Sequence, residues 1–433
     1  MTTDVSVSGA PTQVFVQSVL SGVAEELADV ARAVEDGGLT ERLEKAAALI
    51  SWLRAEMVMD RSALAIAEAD LRSVVGAQDE SSNDARYGAI QNVLAIKVGQ
   101  PTGHHRREES GPTDQVSGRT TPTVDQVSAY LDARNTGDHA HSVRTIVGGF
   151  SKVTLLVDAT LQGVRQDLVF RQIPAGRKAS SLGPEFDVVS FVHGRGLPAP
   201  RPLWLEASEN ALGGAFFAMT RAPGENIGDV WGQRGASREL CLEIADIYAR
   251  LHKLPVDGLN APVSPRRTPE ELRAMIDWQV DVLDKRGISV EPIAQALLDW
   301  LYANIPTQTA RKSLIHGDAA FSNFLVDHGH VAAVLDWEAA HVGDAADELA
   351  YLRPSVEPVM PWPEFLAQYV AAGGVEPPEA SMRFFTVWSY VWRYLGCLWL
   401  SQNFNQTGRY PSAVAAYVHG PKFLTGAVDA AFS

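Results

Sequence analysis

Residues Leu314 to Leu352 read LIHGDAAFSNFLVDHGHVAAVLDWEAAHVGDAADELAYL. Two apolar runs, NFLVD and VAAVL, flank Asp327-His328-Gly329-His330, a pattern that predicts two short antiparallel strands joined by a tight turn. Beside these runs stand Asp318, Asn323 and Asp336, polar groups that are costly near a buried strand unless something pairs with them. Their spacing offers an explanation. A hairpin of this length returns Asp336 to the end at which Asn323 starts, with Asp318 in the loop leading in. An amide oxygen and a carboxylate brought together suit a hard cation such as Mg2+, which takes few protein ligands and completes its shell with phosphates and water. Asp318 is then available to accept a hydrogen bond from a substrate hydroxyl.

Working outward, the chain of 433 residues exceeds one typical core, so two or three domains are expected. Val16, Leu20, Val23, Leu27, Val30 and Val34 recur in steps of four and three, and similar periodicity continues to about residue 98. Residues 1–100 therefore read as an additional all-helical region. Residues 101–123, rich in Pro, Gly, Ser, Thr and charge, read as a linker. After a short helix near Asp125 to Arg134, RTIVGGFSKVTLLVDATLQGVRQDLVFRQI predicts two or three strands joined by Gly-containing turns. A helix beginning near Pro184, another strand at AFFAMT and a mainly helical stretch from about Ser237 follow. This order predicts an α+β, two-lobed architecture, with lobes over 124–222 and 223–433.

Composition excludes several classes. The chain is 46% hydrophobic and 21% charged, ordinary for a globular protein, and its formal charge of -15 argues against nucleic-acid or anionic-membrane partners. The segment MTTDVSVSGAPTQ lacks the basic and apolar regions of a secretory signal. VWSYVWRYLGCLWL is broken by Arg393 and short for a bilayer span. Two cysteines, Cys241 and Cys397, supply no disulfide framework. The expectation is a cytoplasmic protein.

The series HGD, four residues, Asn, then a strand and Asp-Trp-Glu resembles the aminoglycoside-phosphotransferase and kinase-like superfamily. VGGFSKVT, FRQIPAG, LDWEAAHVGDAADELAY and VWSYVWRYLGC carry a nearer likeness to phosphotransferase domains associated with acyl-CoA dehydrogenases, over roughly residues 125 to 425. The resemblance implies a two-lobed protein-kinase-like fold and dependence on ATP and Mg2+. Asp318 would be the catalytic base or hydroxyl-orienting group, and Asn323 and Asp336 the metal ligands. It further implies that backbone amides around Gly148, Gly149 and Ser151 approach the nucleotide phosphates. Arg171 would be the strand-borne cation on those phosphates, Glu185 the helix acid holding it, and Met219 to Arg221 the hinge whose backbone addresses adenine. The loop between Asp318 and Asn323 lacks the group's basic residue. Ala345 stands for the usual Pro, and Glu348 aligns with the usual helix Asp.

For the acceptor, Phe384, Phe385, Trp388, Tyr390, Trp392 and Trp399 favour a small, fairly apolar molecule where they reach the cleft, although such stripes also form cores. Arg393 could pair with a carboxylate, a CoA phosphate or a structural acid. The preferred expectation is phosphorylation of a hydroxyl, as in a hydroxyacid or hydroxyacyl-CoA. An antibiotic-inactivating aminoglycoside or macrolide kinase is the alternative, and a nucleotide-binding scaffold is the reading from another class. Heptad-like faces on the N-terminal helices would serve a homodimer or an intramolecular bundle equally well.

Overall fold

The computed structural model describes residues 65–71, 89–90, 93, 122–146, 152–173, 182–208, 210–229, 232–233, 236–407 and 419–432. Residues 65–71, 89–90 and 93 are helical. The rest of the expected N-terminal bundle, nearly all of the linker, and Gly148, Gly149 and Ser151 lie outside the described residues. The chain divides into two compact units. One comprises Pro112–Met275 and Ile305–Thr386, and holds every described residue of the candidate site. The other comprises Met1–Gly111, Ile276–Asn304 and Val387–Ser433.

The first unit opens with helix α1 (Val124–Arg134), started by a capping box in which Thr123 and Gln126 each bond the other's backbone amide. Strands β1 (His139–Ile146), β2 (Val153–Leu161), β3 (Val164–Gln172), β4 (Pro202–Glu206) and β5 (Phe216–Thr220) form an antiparallel sheet ordered β1-β2-β3-β5-β4. Alternation along β2 and β3 gives the sheet two apolar faces. Leu155, Val157, Leu168 and Phe170 pack with Val127 and Leu131 of α1. Stacking of Phe170 on Phe216, with centroids 4.7 Å apart, adds about 1 kcal/mol beyond burial.

The opposite face carries Val169, Ile173, Phe217 and Met219 against Leu182 and Phe186 of helix α2 (Leu182–His193). Thr154 lies opposite Arg171 in the β2–β3 register, so Lys152, Thr154 and Arg171 share this α2-facing side. Strand β4 has no counterpart among the expected elements. It is short and begins at Pro202, so it offers little alternation to read.

Beyond the sheet, Gly224 (φ +95°) brings the chain so close to the Val326 carbonyl that a Cβ would stand 2.3 Å from its oxygen. Strand β6 (Glu225–Asn226) then pairs with the predicted hairpin. Helix α3 (Arg238–His252) starts at Ser237, whose hydroxyl accepts the Leu240 amide. Strand β7 (Ser313–Ile315) pairs with β10 (His341–Gly343), and the hairpin consists of β8 (Phe324–Asp327) and β9 (His330–Val334). Its turn residues His328 and Gly329 have φ of 48° and 84°, as a two-residue hairpin turn requires.

Asp344 caps helix α6 (Ala345–Val356) by accepting the Ala346 amide at 3.0 Å, and α7 (Trp362–Ala371) packs on α3. The remaining long helices are α4 (Pro269–Lys285), α5 (Pro292–Ala303), α8 (Glu379–Thr407) and α9 (Gly420–Phe432), with α5 and α9 packed together in the second unit. Among the described residues no helix is long and apolar enough to cross a membrane. Cys241 and Cys397 are buried thiols outside any disulfide, and burial pushes them up to about 11 and about 12, respectively.

Candidate active site

The loop between β7 and β8 begins at His316, which is fully buried. Its Nε2 lies 2.8 Å from the Leu335 carbonyl, while its Nδ1 accepts the Asp318 amide at 3.2 Å. The ring therefore ties the loop to Leu335, which follows the hairpin's second strand. Gly317 follows at φ +82°, where a Cβ would stand 2.4 Å from the Ala339 carbonyl oxygen, so only glycine fits between His316 and Asp318. Both loop amides are held from α6: Glu348 accepts the His316 N–H at 2.5 Å and the Gly317 N–H at 3.3 Å. Burial pushes the Glu348 carboxyl up to about 7, against the opposing pull of His316.

Asp318 emerges from this loop with both carboxylate oxygens engaged. Oδ1 accepts the Tyr351 hydroxyl at 2.6 Å, and Oδ2 accepts Asn323 Nδ2 at 3.0 Å. Nδ2 of Asn323 also donates to the Asp318 carbonyl at 2.8 Å. Both amide hydrogens are thus used on Asp318, leaving the Asn323 carbonyl oxygen as an available ligand atom.

Asn323 ends a short 3-10 turn, Phe321–Asn323, immediately before β8. Its carbonyl accepts the Leu335 amide at 2.8 Å, so hairpin closure delivers the next residue, Asp336, to the same end. Asp336 adopts φ 67° and ψ 63°, a left-handed conformation costing roughly 1–3 kcal/mol for a residue with a side chain. The carboxylate is held beside Arg171, whose Nη2 donates to Oδ1 at 2.7 Å. Burial raises the Asp336 carboxyl despite Arg171, and the neighbouring charges of Glu338 and Asp318 add to the rise.

The sheet contributes a second cation. Lys152, just before β2, places Nζ 2.5 Å from Glu185 and 2.5 Å from Glu338. Arg171 is 4.0 Å from Glu185, so the helix acid expected to hold Arg171 lies closer to Lys152. Burial opposes the Arg171 charge, but the carboxylates of Asp336, Glu185 and Glu338 outweigh it and raise its pKa. Burial likewise raises Glu185, with Lys152 and Arg171 pulling against it. Three carboxylates (Glu185, Asp336, Glu338) thus face two cations (Lys152, Arg171), one positive charge short of balance when all are ionised.

This arrangement fits a divalent cation taken up together with phosphates. One carboxylate and one amide oxygen stand at the hairpin end, and Arg171 already sits on that carboxylate as a positive partner. Among the described residues no group of three or more His, Cys, Asp or Glu forms a metal cage, so the remaining ligands would come from phosphate and water.

The other expected positions separate. Met219 is buried in β5 opposite Val169, and the Arg221 amide donates to the Asp167 carbonyl at 2.9 Å. That amide is already committed to the sheet. Phe384, Phe385 and Trp388 are buried core, whereas Tyr390, Trp392 and Trp399 are half-buried.

Three residues go unassigned when the motifs are read alone: Lys152, Glu338 and Tyr351. Position two before Thr154 was the available signal for Lys152, because that parity faces Arg171. For Tyr351 it was the three-residue spacing from Glu348 on one helix face.

The phosphotransferase enzyme family model matches residues 142–385. Acyl-CoA dehydrogenase family member 11 of Homo sapiens is 28% identical over 240 residues, covering 52% of this chain and 30% of that protein. Acyl-CoA dehydrogenase family member 10 of Mus musculus is 26% identical over 208 residues, covering 45% of this chain and 19% of that protein. The chain therefore spans less than a third of the length of either relative.

Among solved structures, a candidate aminoglycoside phosphotransferase from Ralstonia eutropha superposes with a TM-score of 0.57 at 18% identity, covering 71% of this chain and 97% of the other. Macrolide 2'-phosphotransferase type I gives 0.51 at 21% identity, covering 70% and 98%. These likenesses bear out the α+β kinase-like fold and leave the acceptor undefined. The solved structures share the fold, and the family match over residues 142–385 shows that the chain belongs to the phosphotransferase enzyme family.

Proposed function

We propose that this chain transfers the γ-phosphoryl group of ATP to a hydroxyl on a small, fairly apolar acceptor, a hydroxyacid or hydroxyacyl-CoA. The observation that carries the reading is the convergence of Asp318, Asn323 and Asp336 at one end of the hairpin, with Arg171 and Lys152 reaching the same cluster. Asn323 Oδ1 and Asp336 would hold Mg2+, which when bound would neutralise charge on the phosphate oxygens. Arg171 and Lys152 add positive charge beside the transferring group, and Glu185 holds Lys152 in place. The backbone around Gly148, Gly149 and Ser151 would cover the phosphates. The Met219–Arg221 segment would face adenine, chiefly through groups other than the Arg221 amide.

In the reaction the acceptor oxygen bonds to phosphorus as the bond between phosphorus and the ADP oxygen breaks. The hydroxyl proton passes to Asp318, whose orientation is set before the acceptor arrives. Because the transition state is loose, positioning and charge neutralisation supply most of the acceleration. The relatives named acyl-CoA dehydrogenase family members support the acceptor class, whereas Phe384, Phe385 and Trp388, packed in the core, do not bear on it.

Incubation with Mg-ATP and a panel of hydroxyacids, hydroxyacyl-CoA esters, aminoglycosides and macrolides, read by mass spectrometry, tests the reading. A phosphorylated hydroxyacid or hydroxyacyl-CoA supports it. A phosphorylated antibiotic as the sole product, or nucleotide binding with no transfer to any hydroxyl, contradicts it.

A further inference from the structure

We propose that Tyr351 is a positioning residue for phosphoryl transfer, its hydroxyl acting with Asn323 to fix the plane of the Asp318 carboxylate. The inference rests on the reading of Asp318 as the group that receives the acceptor's proton.

An ionised carboxylate offers about four lone-pair sites on two oxygens. Tyr351 occupies one on Oδ1 at 2.6 Å, within the short range of hydroxyl-to-carboxylate bonds, and Asn323 occupies one on Oδ2 at 3.0 Å. A single donor would let the carboxylate turn about its last bond. Donors on both oxygens prevent this while leaving lone pairs for an incoming hydroxyl.

The source of the two donors matters. Asn323 belongs to the same loop as Asp318 and moves with it. Tyr351 belongs to α6, which also carries Glu348, the acceptor of the His316 and Gly317 amides. Spacing by three puts Glu348 and Tyr351 on one side of the helix. A single rigid element thus anchors both the loop backbone and the side chain at its tip.

A second buried tyrosine sharpens the assignment. Tyr248 of α3 is close enough to Glu348, Asp318 and Tyr351 for their charges to add to the rise that burial gives its hydroxyl, yet that hydroxyl finds no hydrogen-bond partner among the described residues. Of these two tyrosines, Tyr351 is the one that donates to Asp318. A buried tyrosine usually finds an acceptor for its hydroxyl, and any nearby carbonyl can serve. Tyr351 instead donates to Asp318, the side chain that receives the acceptor's proton.

The test compares full-length Tyr351→Phe and Asp318→Ala with the unsubstituted protein, using Mg-ATP and the acceptor found by the panel. For Tyr351→Phe, kcat should fall roughly tenfold while both KM values stay within about twofold, the signature of lost transition-state positioning. Nucleotide binding by calorimetry and Tm should stay near wild type. Fluorinated tyrosine at position 351, which restores a donor hydroxyl, should recover the rate.

Wild-type kcat in Tyr351→Phe, with Asp318→Ala inactive, overturns this inference and leaves the Asp318 reading intact. Parallel losses of kcat, nucleotide binding and Tm that the fluorinated tyrosine does not relieve also overturn it. Retained transfer by Asp318→Ala overturns the Asp318 reading and the inference with it.

Discussion

Arg171 donates from Nη2 to Asp336 Oδ1 at 2.7 Å, so the cation proposed for the phosphates is paired with the acid proposed for the metal. Nucleotide and Mg2+ arriving together would give each member a new partner of opposite charge. Arg171→Met should therefore raise the ATP KM by about tenfold or more, because a charge-assisted contact to phosphate is lost. The same variant should bind Mn2+ more tightly without nucleotide, as Asp336 loses its competing guanidinium. Calorimetry with Mn2+ alone and steady-state kinetics check the two arms, and an unchanged ATP KM would count against the assignment of Arg171.

Lys152 is held between the buried Glu185 and the half-exposed Glu338. Lys152→Met leaves Glu185 with Arg171 at 4.0 Å as its nearest cation. Stability should fall by about 3 kcal/mol, the lower end for breaking one side of a buried pair, because Arg171 partly compensates. Lys152→Met with Glu185→Leu should lose less than the single variant, since no buried charge is then stranded. Urea unfolding of both variants measures this, and an equal or larger loss in the double variant would show that the pair does not act through charge.

Glu348 and His252 make opposing contributions to the dependence of stability on pH. Burial raises Glu348 from 4.5 to about 7, so the folded protein binds more protons than the unfolded chain in that window, and this contribution falls as pH rises through it. His252, 4.0 Å from Glu348, is lowered by burial from 6.5 to about 3. The folded protein then binds fewer protons, and the His252 contribution is lost as pH falls from about 6.5 to about 3. The Tm advantage of wild type over Glu348→Gln should therefore shrink between pH 5 and pH 8, values that bracket the upper part of the Glu348 window. Parallel melting curves for the two proteins across this range would contradict the burial-raised Glu348.

Local spacing made much of this legible. The β8–β9 hairpin follows from two apolar runs around Asp327-His328-Gly329-His330, and α3 opens the helical stretch expected from about Ser237. The juxtaposition of Asn323 and Asp336 follows from hairpin length, although Asn323 closes a 3-10 turn where a strand start was expected. What escaped depends on partners distant in the chain. Lys152 meets Glu338 across 186 positions, and Tyr351 meets Asp318 across 33. Periodicity shows which face such a residue occupies and says nothing of what the fold places opposite. Glu185 illustrates the point: its position at a helix start was readable, yet tertiary packing brought Lys152 closer to it than Arg171.

The central claim is that Asp318 receives the proton of the acceptor hydroxyl during phosphoryl transfer. The most direct measurement is single-turnover transfer from Mg-ATP to the identified acceptor by Asp318→Ala, with nucleotide affinity determined on the same preparation. The account predicts nucleotide binding within about twofold of wild type and transfer reduced by on the order of a thousandfold. Transfer at a rate near wild type, from a variant that binds nucleotide normally, would contradict it.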